Sequence, residues 1–158
     1  MGTLTDTRLG EISLGADGYG EVFLRAGRWT LRVTVEWSGA ATADLLGEDL
    51  EPLLERVLGW AVEPGHETVD LYLEHHLGEF EPEELEAILG GSDTEEGAKR
   101  GVAALRAALQ PIAMHVGRRP GAGRQLAVDI GFGQDVTEVV LVVEVDPEGQ
   151  PVSVDAET

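Results

Sequence analysis

The feature that most constrains this sequence is an unbroken alternation of apolar and polar side chains over residues 29–37, WTLRVTVEW. Successive side chains of a β-strand point to opposite sides, so this pattern predicts a strand with one buried face, as in an antiparallel sheet. The shorter runs GEISL and EVFLRA precede it and predict two more strands. We therefore expect residues 9–37 to form a β-meander.

The middle of the chain, residues 45–110, has the spacing of helices. Apolar residues recur every three or four positions from Leu46 to Trp60, and Pro52 is tolerable in the first turn after an Asp49 cap. A second helix is expected to bury a stripe and to end at Gly78. The stripe consists of Val69, Tyr72, Leu73, His76 and Leu77. A third helix is predicted around EFEPEELEAILGG, and a fourth between a Ser92–Glu95 capping box and Pro111.

The last third returns to the alternation of strands. Residues 111–155 contain PIAMHVG, QLAVDIGF and VVLVVEVD, and DPEGQ then turns into a short edge strand, PVSV. The order of strands, helices and strands predicts an α+β fold of one domain, residues 1–158. We expect a mostly antiparallel sheet, built from the N- and C-terminal β-meanders, with a central acidic helical segment packed on one face.

The net charge of −19 is concentrated in the predicted helices. Residues 44–96 carry seventeen acidic residues against Arg56 alone. Such a surface repels nucleic acid and anionic membranes, and attracts basic proteins. The alternative is a solvated helical face that only aids solubility or adapts the protein to salt.

The absence of cysteine excludes disulfides, thiolate zinc sites and cysteine nucleophiles. The sequence has no apolar run near the roughly 20 residues of a membrane-spanning helix, and its start does not have the pattern of a signal peptide. We therefore predict a cytoplasmic protein.

The glycine-rich stretch LGADGYGEVFL, residues 14–24, resembles the phosphate-binding loop of protein kinases. Its glycines are spaced G-x-x-G-x-G, whereas kinases have G-x-G-x-x-G, and no H-R-D or D-F-G motif follows. Asp17-Gly18 is instead typical of a hairpin turn, since glycine tolerates a positive φ.

Metal binding and catalysis have little support in the sequence. His76 and Glu79 lie three residues apart on a predicted helix and are the candidate metal ligands, but no third or fourth ligand has matching spacing. The serines lie in no G-x-S-x-G or S-x-x-K motif, and the many carboxylates are what first helical turns prefer. The protein is therefore expected not to be an enzyme, and we predict no cofactor.

The C-terminal segment IGFGQDVTEVVLVVEVDPEGQPVSVDAET, together with RLGEISL and LYLEHHLGEFEPEEL, resembles a family of small bacterial proteins. This family is the domain of unknown function number two thousand and four. The matching features are Leu9-Gly10, Thr137, the Val/Leu-rich residues 139–145, the Asp146 to Gly149 turn, and Glu157-Thr158 in place of Glu-Ser. The long acidic segment departs from the family pattern. The resemblance implies a fold but no reaction, and an immunity-type role is an analogy with related small acidic proteins.

These observations lead to three alternative functions. The leading hypothesis is a non-enzymatic binding protein, inhibitor-like, whose acidic helical surface meets a basic protein; its candidate contact residues are Glu81, Glu83, Glu84 and Glu86. The alternatives are a small-molecule or metal-binding domain and a structural or scaffold role. The protein is expected to be a monomer or a homodimer, since a short last strand leaves a sheet edge open.

Overall fold

The computed structural model describes residues 2–63, 65–79, 103, 105–119, 123–132 and 140–157, with the backbone alone at 76–79, 118–119 and 123–124. These residues form nine strands, two helices and a short helical stretch at residues 105–108, which confirms the α+β class with mostly antiparallel strands. The strands are β1 (Gly2–Asp6), β2 (Gly10–Leu14), β3 (Tyr19–Ala26), β4 (Trp29–Trp37), β5 (Thr42–Ala43), β6 (Gln110–Arg119), β7 (Gly123–Gly131), β8 (Val140–Val145) and β9 (Pro151–Glu157). The helices are α1 (Leu50–Ala61) and α2 (Glu67–Glu79).

The larger sheet has six strands in the order β3-β4-β6-β7-β8-β9. Neighbouring strands are antiparallel except β4 and β6, which pair in parallel and join the N-terminal strands to the C-terminal ones. A parallel pair needs a long crossover, and the chain between β4 and β6 contains both helices. β9 lies at the edge of this sheet, as predicted.

The predicted alternation of β4 is confirmed. Leu31, Val33 and Val35 are buried on one face, whereas Arg32 and Glu36 are exposed on the other. We call the first side of the six-stranded sheet the apolar face and the second the outer face. The helices and the apolar face share one hydrophobic core, to which β6, β7 and β8 contribute alternate residues. Burial of these apolar side chains is the main stabilising contribution.

The GEISL strand is placed differently from the prediction. β2 pairs antiparallel with β1, and β1 pairs in parallel with β5, so that these strands form a separate three-stranded sheet. Residues 2–6 gave no strong strand signal, since only Leu4 and Asp6 are buried there. Once β1 forms, the short turn at residues 7–9 makes it the nearest partner of β2.

The small sheet lies close against the larger one at Gly20 of β3. A Cβ atom at this position would lie 2.5 Å from the carbonyl oxygen of Ser13 in β2. Glycine is therefore required where the two backbones approach each other.

The turn between β2 and β3 contains the glycine-rich stretch. Gly18 has φ +78°, and its N–H donates to the carbonyl of Gly15 at 3.0 Å. A Cβ atom at Gly18 would collide with the carbonyl oxygen of Trp37. The stretch is therefore a tight turn packed against β4.

Helix α1 begins after Asp49, with Pro52 in its first turn, as predicted. The Asp49 side chain makes no capping bond but pairs with Arg8, whose Nη1 lies 2.6 Å from Oδ1. Arg56 on α1 donates to Glu48 and, at 3.1 Å, to the carbonyl oxygen of Gly149 in the turn before β9. These bonds fix α1 against the end of the larger sheet.

Helix α2 buries Val69, Tyr72 and Leu73, as predicted, and ends one residue beyond Gly78. The predicted third helix and most of the fourth lie outside the described residues. Residues 105–108 are helical, and Leu105 is fully buried. In the described part of the chain, no helix has the length and apolar character to cross a membrane.

Candidate functional site

The outer face carries a row of three hydrogen-bonded polar side chains, which we call the polar line. Thr34 on β4 is directly opposite His115 on β6, and their Oγ1 and Nδ1 atoms lie 2.5 Å apart. His115 Nε2 lies 3.0 Å from Oδ2 of Asp129 on β7. Asp129 is opposite Ala113 rather than His115, so the second contact is diagonal across the strands.

The polar line remains hydrogen-bonded whether His115 is neutral or charged. In the neutral ring, Nε2–H donates to the Asp129 carboxylate, and Nδ1 accepts from the Thr34 hydroxyl. In the imidazolium ring, both nitrogens donate, and the hydroxyl becomes the acceptor. Because the Thr34 hydroxyl group can rotate, His115 can gain or lose a proton without breaking either hydrogen bond.

The pKa of His115 is raised from its ordinary value. The main cause is the hydrogen bond to Asp129, and burial of the ring acts in the opposite direction. The charges of Asp129 and Glu157 also raise the pKa, whereas that of Arg32 lowers it. Charged residues on several strands of the outer face therefore influence the pKa of His115.

Asp129 has one oxygen in use and one without a partner. Oδ1 is buried and has no hydrogen-bond partner among the described residues. A buried acceptor without a donor is destabilising by roughly 1–3 kcal/mol. Since Oδ2 is held by His115, the carboxylate cannot turn without exchanging one unsatisfied oxygen for the other.

An open groove of about 490 Å³ crosses the outer face beside the polar line. All six strands contribute to its lining, which includes Tyr19, Glu36, His115, Gln125, Glu144 and Val152. Its volume lies within the range of small-molecule sites. It is open to solvent along the sheet and is not an enclosed pocket.

The polar line has the order of groups found in nucleophilic catalysis: hydroxyl, imidazole and carboxylate. Acyl transfer also needs donors for the developing oxyanion. β4 is paired on both sides, with β3 and β6, so its backbone N–H groups serve the sheet. Thr34 is also only 6% exposed. The arrangement supports a structural cluster, and the absence of enzyme activity stays a prediction.

The two helices carry an acidic surface on the side of the larger sheet opposite the outer face. On α2, Glu67, Leu71 and Glu74 are exposed at spacings of four and three, opposite the buried side of the helix. We call these three residues the α2 stripe. On α1, Glu51 and Glu55 are exposed one turn apart. None of these four glutamates has an ion-pair partner among the described residues, whereas Asp70 pairs with Arg106.

The residues predicted from the sequence are only partly described. Glu81, Glu83, Glu84 and Glu86 lie outside the described residues. His76 and Glu79 are both on α2, but their side chains are not among those described. Within the described residues, no group of three or more histidine or carboxylate side chains could hold a metal ion. Metal binding at His76 and Glu79 therefore stays a hypothesis.

Sequence reasoning did not find the polar line. Its signal is a polar residue at an outward position of three alternating strands, namely Thr34, His115 and Asp129. Which strands lie side by side decides whether such residues meet, and this pairing could not be derived from periodicity.

Comparison of the chain with models of protein families, with curated proteins and with solved structures gave no match. The family resemblance of the C-terminal segment therefore stays a prediction.

Proposed function

We propose that this protein is a non-enzymatic binding protein, inhibitor- or immunity-like, whose α2 stripe contacts a basic protein partner. The observation that carries the proposal is an exposed apolar residue flanked by carboxylates that have no ion-pair partner among the described residues. Leu71 is 57% exposed, and Glu67 and Glu74 lie on the same side of the helix. An apolar centre within a charged rim is the usual anatomy of a protein interface.

The α2 stripe is held in this orientation by the other side of the helix. Val69 and Leu73 are fully buried and Tyr72 nearly so, so the helix cannot rotate without exposing them. Tyr72 also stacks on Phe132, with ring centroids 5.8 Å apart. A preorganised surface loses less conformational entropy on binding than a flexible one.

The charge of the α2 stripe acts mainly on the rate of association. Carboxylates that are not neutralised locally attract a basic surface over about a Debye length and speed the encounter. Glu67 in the first turn also interacts favourably with the helix dipole, but Glu74 lies beyond that turn. The predicted contact residues Glu81, Glu83, Glu84 and Glu86 follow α2 directly in the sequence and would extend the same acidic segment.

The test is affinity capture from a lysate of the source organism, with recovery read by mass spectrometry at low and at moderate salt. The variants are E67Q/E74Q and Leu71→Ser. The matched control is E51Q/E55Q on α1, which removes the same charge from a different exposed surface. We expect a stoichiometric basic protein that is released by salt, retained by the control, and lost by both α2 variants.

Kinetics with the captured protein separates the two contributions. E67Q/E74Q should lower the association rate several-fold, and Leu71→Ser should mainly raise the dissociation rate. Equal effects of E67Q/E74Q and E51Q/E55Q would show a general charge effect and would overturn the proposal. Capture of no basic protein at low salt would also overturn it. A cytoplasmic location, predicted from the sequence, is part of this proposal.

A further inference from the structure

The outer face presents two large exposed apolar side chains on the edge strand β3. Phe23 is 65% exposed and Tyr19 is 47% exposed. An antiparallel sheet can keep one face in water, but that face is then usually polar. Exposed aromatic residues are instead enriched at protein interfaces.

Charge on the outer face is divided between its two halves. The β3–β4 half carries Glu21 and Glu36 with three arginines, Arg25, Arg28 and Arg32. The β8–β9 half carries three acidic residues, Glu144, Asp155 and Glu157, and no basic residue among those described. One half is therefore weakly basic and the other strongly acidic.

The register places these groups on the same side of the sheet. One row of paired residues runs across all six strands: Phe23, Arg32, Ala113, Asp129, Val142 and Asp155. Arg25 and Glu157 lie two residues beyond the ends of this row, on the same side. The opposite effects of Arg32 and Glu157 on the central His115 agree with this placement.

The basic half is also concave. A depression of about 380 Å³ is lined by Phe23, Arg28, Thr30, Arg32, Gln110 and Ile112, among others. The acidic half ends in the edge strand β9, where Asp155 and Glu157 are exposed. An acidic strand edge and a basic depression on one face are complementary in charge.

We propose that the outer face binds a second copy of this chain, with the two copies related by a twofold axis parallel to the strands and passing over β6 and β7. These are the two central strands of the order β3-β4-β6-β7-β8-β9, so this axis lays β9 of one copy over β3 of the other. Asp155 then faces Phe23 and the depression, and Glu157 faces Arg25. Each contact occurs twice, as in any isologous dimer.

The proposed dimer is weak and leaves the α2 stripe free. The six strands are separated by five spacings of about 4.8 Å and so span only about 24 Å, which places the contact area at the small end of specific interfaces. The helices lie on the apolar face, opposite the contact. The inference is therefore independent of the proposed function.

A charge exchange tests the proposal. In Arg25→Glu, position 25 repels Glu157 of the second copy, and in Glu157→Arg, position 157 repels Arg25. Each variant alone should therefore dimerise more weakly than the wild type. An equimolar mixture should dimerise, because both contacts in the mixed dimer are then between opposite charges. Glu55→Arg on α1 is the control for the change of net charge in Glu157→Arg.

The measurement is sedimentation velocity over a range of micromolar concentrations, at about 0.15 M salt, where repulsion between two acidic chains is screened beyond about 8 Å. We expect the wild type and Glu55→Arg to dimerise, each exchange variant to dimerise at least about 10-fold more weakly, and the mixture to recover. Phe23→Ser should also weaken the dimer.

Two results would overturn the inference. One is a wild-type protein that remains monomeric throughout the concentration range. The other is a dimer that Glu157→Arg weakens but Arg25→Glu leaves intact, which would indicate pairing through the β9 edge instead of the outer face.

Discussion

His115 lies on the central strand β6 and shares its hydrogen bonds with strands on both sides. Its ring is 43% exposed, so that solvent reaches it, whereas Asp129 is 14% exposed. The raised pKa of His115 couples its protonation to folding, because the hydrogen bond to Asp129 exists only in the folded chain. The polar line is therefore a place where pH acts on stability.

A group whose folded pKa is raised contributes stability that is fully present below its unfolded pKa. That stability is lost as the pH rises through the folded pKa. We predict that the wild type has a higher free energy of unfolding than His115→Gln. This difference should be largest at about pH 5.5 and smallest at about pH 8.5. The change in this difference should not exceed about 1 kcal/mol, since solvent screens a half-exposed ion pair. Urea unfolding over this pH range measures it.

Asp129→Asn provides the control for this pH dependence. This variant keeps the imidazole but removes the carboxylate that raises the pKa of His115. The difference in free energy of unfolding between Asp129→Asn and His115→Gln should therefore depend much less on pH. A wild-type advantage that stayed constant or increased towards alkaline pH would show that the polar line does not contribute in this way.

The periodicity of apolar residues predicted most of the described elements, because an element that is buried on one side has apolar residues at regular spacing in its sequence. β4, α1 and α2 were all found from the spacing of apolar residues. β1 was missed because a strand that buries only Leu4 and Asp6 has too weak an alternation. The pairing of the strands could not be predicted either. β4 and β6 are separated in the chain by both helices, and no local pattern specifies their parallel pairing.

A site can be predicted from the sequence when it depends on composition and not on which strands pair. The acidic character of the helical segment depends on composition alone and was therefore predicted from the sequence. The polar line depends on Thr34 and His115, which are 81 residues apart, being opposite each other in one register. A shift of one residue would turn one of them into the core.

Asp6 on β1 is a buried carboxylate whose role no pattern in the sequence indicates. Its Oδ1 accepts from the N–H groups of Arg8 and Leu9, both at 2.9 Å, and its Oδ2 accepts from the N–H of Leu45 at 2.8 Å. It is 2% exposed. The carboxylate thus holds the β1–β2 turn to the loop that leads into α1.

We predict that Asp6→Asn destabilises the protein by about 2–3 kcal/mol. The side-chain NH₂ of asparagine would replace one acceptor oxygen, so that a buried backbone N–H would face a second donor and lose its hydrogen bond. Asp17→Asn is the matched control. Asp17 is exposed and accepts a single bond from the N–H of Tyr19 at 3.1 Å. Asparagine is favourable in such turns, so the control should change stability by less than about 0.5 kcal/mol. Equal effects in chemical denaturation would contradict the structural role given to Asp6.

At the scale of the whole molecule, the two proposed surfaces lie on opposite sides of the larger sheet. The outer face would join two copies, and the α2 stripe of each copy would remain accessible to a basic partner. The net charge of −19 on every chain favours the approach of a basic partner to the α2 stripe and opposes the association of two copies through the outer face. Charge therefore determines the conditions in which either interaction is measurable.

The same charge should make the stability of the protein depend on salt. Repulsion among carboxylates in the folded chain is long-ranged, with a Debye length of about 30 Å at 0.01 M salt and about 10 Å at 0.1 M. Ion pairs between side chains, such as Arg8 with Asp44 and Asp49, are exposed and contribute little.

We predict that Tm rises by a few degrees between about 0.01 M and about 0.2 M sodium chloride, since about 1 kcal/mol corresponds to about 2–4 °C in a chain of this size. The rise should be smaller in E51Q/E55Q, which has two negative charges fewer. Scanning calorimetry measures both. A fall of Tm with salt would mean that attractive pairs outweigh repulsion in the folded state, and the acidic segment would then be neutralised within the molecule and not available to a partner.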